Sequence, residues 1–360
     1  VLLIDEEAGW RGGQESLHTL MEGLWERQIP FRLACAESGE LARRALAAGW
    51  PASVWKPGGE FSLRNLMFLA GMMRRYRPGL VLYNTPHPAA AGLLAGAWSG
   101  VRPVQVYARR VAFPLRQNPF SHLKHRRMDA FIAISTAVQA ALEHGGIEPA
   151  RITVIPEGLD LARFDAGPAA RLDGAGSGTV FLCLAALTPE KGVDVLVRAF
   201  ALHLSSGHDS HLFVAGDGVE APRLRELGVS VGLADGRRGL GFGGEPAALA
   251  KAADVLVMPS RSEGFGRAAL FGMAASRAVI GSAVGGLTDV VVPEETGLLV
   301  PPGDASALAA ALDRLAGRPG ERRAMGESGR RRLEARFTVD RIVDAHRELF
   351  QNLLAKYRRS

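Results

Sequence analysis

The chain has 360 residues, 47% of them hydrophobic, and a formal net charge of +6. At that length a single core stops growing and the chain divides, so two domains are expected, and the apolar content excludes a disordered or low-complexity protein. The positive charge, carried mostly by arginine, suits anionic partners such as phosphorylated substrates, nucleic acid or acidic lipid head groups without choosing among them.

Short apolar runs alternate with amphipathic stretches from end to end, the pattern of doubly wound parallel sheets. In the first half, strands are expected at Val1–Ile4, Phe31–Cys35, Ala52–Trp55, Leu80–Tyr83, Pro103–Tyr107, Ala130–Ile134 and Ile152–Ile155. Directly after Gly12-Gly13, Leu17, Leu20, Met21, Leu24 and Trp25 follow the spacing of one buried helical face. Gly167–Gly178 has no apolar period and reads as a linker. A second series follows, with strands expected at Thr179–Ala185, His211–Ala215, around Leu240–Phe242, Asp254–Met258, Ala278–Gly281 and Gly297–Val300. Val193, Leu196, Val197, Phe200 and Leu204 mark a helix within it, while Asp304 and Thr338 read as N-caps of two more, the last running to about Tyr357.

The expected fold class is therefore α/β, with two doubly wound parallel-sheet domains facing each other across a cleft. The first spans 1–166, with a terminal helix over 340–360 packing back on it, and the second spans 167–339. Cys35 and Cys183 are the two cysteines, both inside apolar strand-like runs, so buried free thiols in a reducing, cytoplasmic setting are expected. No apolar stretch reaches the ~18 to 20 residues that span a bilayer, and Val1-Leu2-Leu3-Ile4 is strand-like rather than a basic leader, so any membrane contact is expected to be peripheral.

Ligands of open parallel sheets bind beyond the carboxyl ends of the strands. The first such loop, Gly9-Trp10-Arg11-Gly12-Gly13-Gln14, lets backbone N–H groups approach an anion at a helix start, although a tight turn needs the same glycines. Neither G-x-G-x-x-G nor G-x-x-x-x-G-K-[ST] is present, so a nicotinamide or P-loop site is not indicated. Lys191, in Leu187-Thr188-Pro189-Glu190-Lys191-Gly192, opposes the dipole of the helix it opens, which favours an anionic partner over a merely solvated lysine. Ala215-Gly216-Asp217-Gly218 and Gly241-Phe242-Gly243-Gly244-Glu245 can line a base and ribose through backbone, or simply turn the chain. In Pro259-Ser260-Arg261-Ser262-Glu263-Gly264-Phe265-Gly266, the Glu263 carboxylate can accept hydrogen bonds from sugar hydroxyls while N–H groups of Gly264 to Gly266 face phosphates. The paired glycines of Gly285-Gly286-Leu287-Thr288-Asp289 read as architectural.

Taken in order, these segments, with Ile155-Pro156-Glu157-Gly158 at an inter-domain passage and Glu295-Thr296-Gly297-Leu298-Leu299-Val300-Pro301-Pro302 near the end, resemble glycosyltransferase family 4 over essentially the whole chain. The likeness is to bacterial enzymes of cell-surface polysaccharide and lipopolysaccharide synthesis. It implies the GT-B fold of two Rossmann-like domains, a nucleotide diphosphate-sugar donor held mainly by the second, and transfer with retention of configuration, with no cofactor or metal required. Carried over residue by residue, it places Gly12 and Gly13 near the donor phosphates and Lys191 on the diphosphate. Glu263, Gly264, Phe265 and Gly266 come around the transferred sugar, and Gly216, Asp217, Phe242 and Gly243 along the nucleotide. Glu263 and Lys191, with His87 on the acceptor side, are thus the expected catalytic groups, the first two positioning the donor and stabilising the leaving diphosphate.

The departures are specific. A second, ribose-binding glutamate is replaced by Phe271, the arginine that partners the diphosphate lysine by Ala186, and a first-domain histidine by Ala108, followed by Arg109-Arg110. Each lost charge-assisted hydrogen bond removes ~1.5 to 3 kcal/mol of donor affinity. Arg11, Arg109 and Arg110 are the candidates to compensate as anion or acceptor contacts. A weakened or non-catalytic nucleotide- or sugar-binding relative is the alternative that Phe271 and Ala186 favour, and a nucleotide-sugar epimerase of the same architecture fits the ordered segments less well.

On the acceptor side, the loop from Arg109 to Arg127 interleaves cations with Phe113, Leu115 and Phe120, and with the segment from Leu66 to Arg77 it could dock on the anionic cytoplasmic face of an inner membrane carrying a glycan or lipid-linked acceptor. For the helix, Leu66, Leu69 and Met73 are expected to form a buried stripe instead. His87, after the fourth strand, is a candidate acceptor-side base or hydroxyl contact. No basic stripe with a reading element is evident, so nucleic acid is not an expected partner.

Overall fold

A computed structural model describes residues 1–59, 62–115, 119–172, 178–233 and 245–357. They form two compact units, one of Val1–Gly158 with the segment from Val339 onward, the other of Leu159–Thr338.

In the first unit, seven strands, β1 (Leu2–Asp5), β2 (Arg32–Ala36), β3 (Ala52–Trp55), β4 (Leu80–Tyr83), β5 (Val104–Arg109), β6 (Ala130–Ala133) and β7 (Ile152–Val154), lie in the order β3-β2-β1-β4-β5-β6-β7. All neighbours are parallel. The order switches direction between β1 and β4, which opens a crevice where the loops after these two strands diverge. Two strands run further than their apolar stretches. Asp5 pairs with Cys35 and Arg109 with Ala133, so β1 and β5 each carry a charged residue at the carboxyl edge.

The helix after β1, Gly12–Glu26, buries Leu17, Leu20, Met21 and Leu24 as its spacing predicts. Trp25 does not join that face: it is 51% exposed and meets Phe31 edge-on at its rim. Its place is taken by Gly23, whose missing side chain admits the last helix, Val339–Tyr357: a Cβ there would lie 2.4 Å from Val343 Cγ2. Arg27 fastens the same contact through Asp340 at 2.5 Å and Asp344 at 3.5 Å. In the helix Leu63–Tyr76, Leu69, Met72 and Met73 are buried, Leu66 is half-buried and Met67 is exposed. Its stripe is therefore largely core, while Met67 belongs to the outer face.

The second unit holds β8 (Thr179–Leu184), β9 (Ser210–Ala215), β10 (Val255–Met258), β11 (Ala278–Ser282) and β12 (Gly297–Val300), parallel and in the order β12-β11-β10-β8-β9. Here the order switches between β8 and β10. The strand expected around Leu240–Phe242 lies outside the described residues. Phe181, Leu196, Phe200, Val257, Ile280 and Leu312 fill one face of the sheet. Leu204 reaches only its edge.

The boundary falls at Gly158–Leu159, not at the expected 166/167. Residues Leu161–Ala166 form a helix capped by the Asp160 side chain, which accepts from Arg163 N–H at 2.9 Å. Its far end is held in the second unit: Lys251 Nζ donates to Phe164 O at 2.5 Å, and Arg330 grips both oxygens of Asp165 at 2.9 and 2.8 Å. Part of the expected linker, residues 173–177, lies outside the described residues, and its glycines do not say which neighbour claims the helix before it.

Both cysteines are buried and unpaired, and burial pushes each thiol up to about 12, so neither is reactive near neutral pH. Among the described residues no helix is long and apolar enough to cross a membrane.

Candidate functional site

The loops after β8 and β10 meet at the switch point of the second sheet. Lys191 ends a single 3₁₀ turn, Pro189–Lys191, and its Nζ lies 2.7 Å from Glu263 Oε2. The same carboxylate oxygen accepts from Ser260 Oγ at 3.3 Å. The side chain of Glu263 is 10% exposed and that of Lys191 25%, so the pair is shielded yet reachable.

Backbone contacts fix the two loops to each other. Arg261 and Ser262 donate their N–H groups to Glu190 O at 2.8 and 3.3 Å. The Arg261 guanidinium spans both oxygens of Asp194 at 2.7 and 2.8 Å, and this hydrogen bonding holds the Asp194 carboxyl below its usual range. Gly192, at φ +62°, lies against the Pro259 carbonyl, which a Cβ would approach to 2.2 Å. Gly285, at φ +50°, lies against the Glu263 carbonyl, where a Cβ would come to 1.8 Å, and Gly286 N–H donates to that carbonyl at 3.1 Å. The architectural glycines of the sequence are thus the cradle of the Glu263 turn. Beyond it, Gly266 is at φ +99° and opens the helix Arg267–Ala274.

This arrangement can receive an anion. An ammonium has three donors, of which Glu263 engages one, and the helix-start N–H groups around Gly264 to Gly266 add partial positive charge. The Phe265 side chain does not take part: it is buried edge-on against Phe337 at 5.8 Å, so only its backbone can contribute. Asp217 is exposed, its Oδ1 accepting from Gly218 N–H at 2.7 Å and its carbonyl from Leu187 N–H at 2.8 Å. Gly216 packs so closely on the Ala185 carbonyl, 1.8 Å from where its Cβ would be, that these loops too are joined. Phe271 is half-buried on the helix after Gly266, and Ala186 is exposed at the end of β8. Phe242 and Gly243 lie outside the described residues.

The first unit carries a polar network at its own switch point. Asp5, fully buried at the end of β1, accepts from Gln14 Nε2 at 3.0 Å, Asn84 Nδ2 at 2.5 Å and Glu7 N–H at 2.9 Å. Desolvation raises its pKa above the ordinary carboxylate value, against the pull of these donors. Asn84 also donates to Gly13 O at 3.1 Å and accepts from Arg110 Nε and Nη2 at 3.2 and 3.0 Å. Arg110 Nη1 then reaches Glu157 Oε1 at 3.0 Å. Gly13 is thus tied to the carboxyl ends of three strands.

The cations divide. Arg11 is exposed beside the helix start. Arg109 corrects the expectation of an anion contact: it is buried, donates to its own loop at Phe113 O, and burial lowers its pKa. Arg110 is the one knitted into the network. His87, 62% exposed, places Nδ1 2.7 Å from Glu6 Oε1, and burial raises the pKa of Glu6. Asp5, Glu6, Gln14, Asn84 and Ser260 are absent from the sequence-based set of site residues, although an acidic run closing β1 at a switch point is a usable signal for the first two.

The amino-terminal part of the chain, residues 10–163, matches the family model for Glycosyltransferase Family 4, and residues 173–332 match that for Glycosyl transferases group 1. A D-inositol 3-phosphate glycosyltransferase of Salinispora tropica is 30% identical over 93% of this chain and 71% of its own length. The lipopolysaccharide core biosynthesis mannosyltransferase LpcC of Rhizobium leguminosarum is 32% identical over 65% of this chain and 67% of its own. Among solved structures, Anabaena HepE in complex with UDP superposes with a TM-score of 0.84 at 20% identity, covering 98% of this chain and 99% of that one. The likeness to solved structures assigns the GT-B fold, with a Rossmann-like sheet in each unit.

Proposed function

The chain belongs to glycosyltransferase family 4, and from that premise we propose that it transfers a sugar from a nucleotide diphosphate-sugar to a cell-envelope glycan or lipid-linked acceptor, with retention of configuration and without a metal. The observation that carries this reading is the Lys191–Glu263 pair, seated at the switch point and fixed by glycine contacts on both sides. Lys191 neutralises the diphosphate as it leaves, and Glu263 accepts hydrogen bonds from hydroxyls of the sugar and orients it, with Ser260 steadying the carboxylate. The bound UDP of HepE and the mannosyltransferase name of LpcC support a nucleotide donor and an envelope acceptor as the classes to try first.

The acceptor side is assigned to the first unit, with His87, poised by Glu6, as a hydroxyl contact. Val111 and Phe113, 45% and 58% exposed after the basic end of β5, suit peripheral contact with the cytoplasmic face of an anionic membrane.

A thermal-shift panel of uridine, guanosine and adenosine diphosphates and their sugars tests the donor site, since a ligand at ~100 Kd adds ~2.7 kcal/mol. One nucleotide is expected to raise the melting temperature. No shift with any of them contradicts the proposal, and a shift without turnover on any acceptor identifies a binding relative instead.

A further inference from the structure

At the end of the second sheet opposite Lys191 and Glu263, three side chains distant in sequence converge. His203 lies in the last turn of the helix Val193–Ser205, His208 in the turn leading into β9, and Asp313 near the end of the helix Ala305–Gly317. His203 is fully buried; its Nδ1 meets Asp313 Oδ1, and its Nε2 lies 2.8 Å from Ser210 Oγ. His208 Nε2 is 3.7 Å from the same Asp313 oxygen. The two imidazoles are stacked, with 4.7 Å between centroids and 7° between planes. Ser206 Oγ donates to the other Asp313 oxygen at 3.5 Å.

We propose that His203 Nδ1, His208 Nε2 and Asp313 Oδ1 form a binding site for a divalent transition metal, zinc foremost, with a fourth position open to water. Donor atoms of the three residues already lie within 4.8 Å of one another. Zinc bonds of about 2.0 to 2.2 Å place the ligand atoms of a tetrahedron about 3.3 to 3.6 Å apart. Asp313 would have to draw back from His203 Nδ1, and His208 would have to approach that atom; both, about one-third exposed, have room to shift, while His203 is the fixed point. Two imidazoles with one carboxylate select zinc over magnesium or calcium.

The outer contacts agree with this role. Ser210 on the far nitrogen of His203 can take its N–H, which turns the Nδ1 lone pair toward the metal, and Ser206 steadies the carboxylate. The place in the fold gives a metal here a bracing role away from the transfer reaction. β9 starts beside the cluster and runs six residues, about 20 Å, before reaching Gly216 at the sheet's other end. A bound metal would clip the end of one helix and the start of a strand to a second helix, without touching the donor loops.

The test uses tag-free protein stripped with a chelator and titrated with zinc sulfate by calorimetry, with melting curves alongside. One zinc per chain and a raised melting temperature are expected. His208→Gln and Asp313→Asn, each shown to melt cooperatively without metal, are expected to weaken binding at least about tenfold. Cobalt(II) added to the unaltered protein gives an independent reading: an intense visible band of four-coordinate cobalt supports the site, and only the pale spectrum of the hydrated ion contradicts it. No stoichiometric binding at about 100 µM zinc, or binding unchanged by both substitutions, overturns the proposal.

Discussion

Glu263 already holds Lys191 and Ser260 on one carboxylate oxygen, so its orientation is set before any ligand arrives. Preorganisation of this kind contributes most where charge changes in the transition state. Lys191→Ala is therefore expected to lower kcat/KM by about 10- to 150-fold, the equivalent of one charge-assisted hydrogen bond of ~1.5 to 3 kcal/mol. Glu263→Gln is expected to fall in the same range, and the double variant by less than the product, because each residue alone disables a shared unit. Steady-state kinetics check all three, and multiplicative losses would show that the two side chains act separately. Lys191 and Glu263 are legible in sequence because each sits just past a clear apolar strand. The first-unit network is not: Asp5 and Asn84 bond across 79 positions, and nothing local to either residue announces the other. Arg110 joins Asn84 to Glu157, and Arg110→Ala is expected to cost ~1.5 to 3 kcal/mol in denaturant unfolding, the loss of its charge-assisted hydrogen bonding.

At the scale of elements, the loop after β11 supports the loop after β10. Gly285→Ala sets a methyl where the Glu263 carbonyl is, so it is expected to displace that turn and reduce turnover more than Gly12→Ala, which meets nothing within 4 Å. Comparing kcat for the two alanines at a temperature where both are folded checks this. The last helix carries a different dependence. Burial drives His346 on its inner face from 6.5 down to about 4, with Arg110 adding repulsion. A folded pKa below the unfolded one means that the unfolded chain takes up the proton first. Stability is then full above about pH 6.5, falls as the pH drops and levels near pH 4, a total of roughly 3 kcal/mol at 1.36 kcal/mol per unit. His346→Leu is expected to flatten that part of the stability curve, and an unchanged slope would mean that other groups set it. Such effects are invisible in sequence, where a histidine on a helix shows neither its burial nor its neighbours.

For the molecule as a whole, the periodic signals are sufficient for the two parallel sheets, because apolar runs at regular spacing allow few other packings. They are not sufficient for the ends of β1 and β5, where charged residues continue a ladder, nor for ownership of Leu161–Ala166, which depends on Lys251 and Arg330 far along the chain. The zinc cluster escapes for the same reason: its ligands span 110 positions and show no short metal-binding spacing. On the proposed function, Ala186 and Phe271 leave the donor site with fewer charged groups than the family pattern, and so would place more of the donor's diphosphate on Lys191. Calorimetric titration of uridine diphosphate and guanosine diphosphate into the unaltered protein and into Lys191→Ala therefore tests the central claim most directly. One nucleotide is expected to bind the unaltered protein and to lose at least about tenfold in affinity in the variant; equal affinity in the two proteins would contradict the assignment of this site.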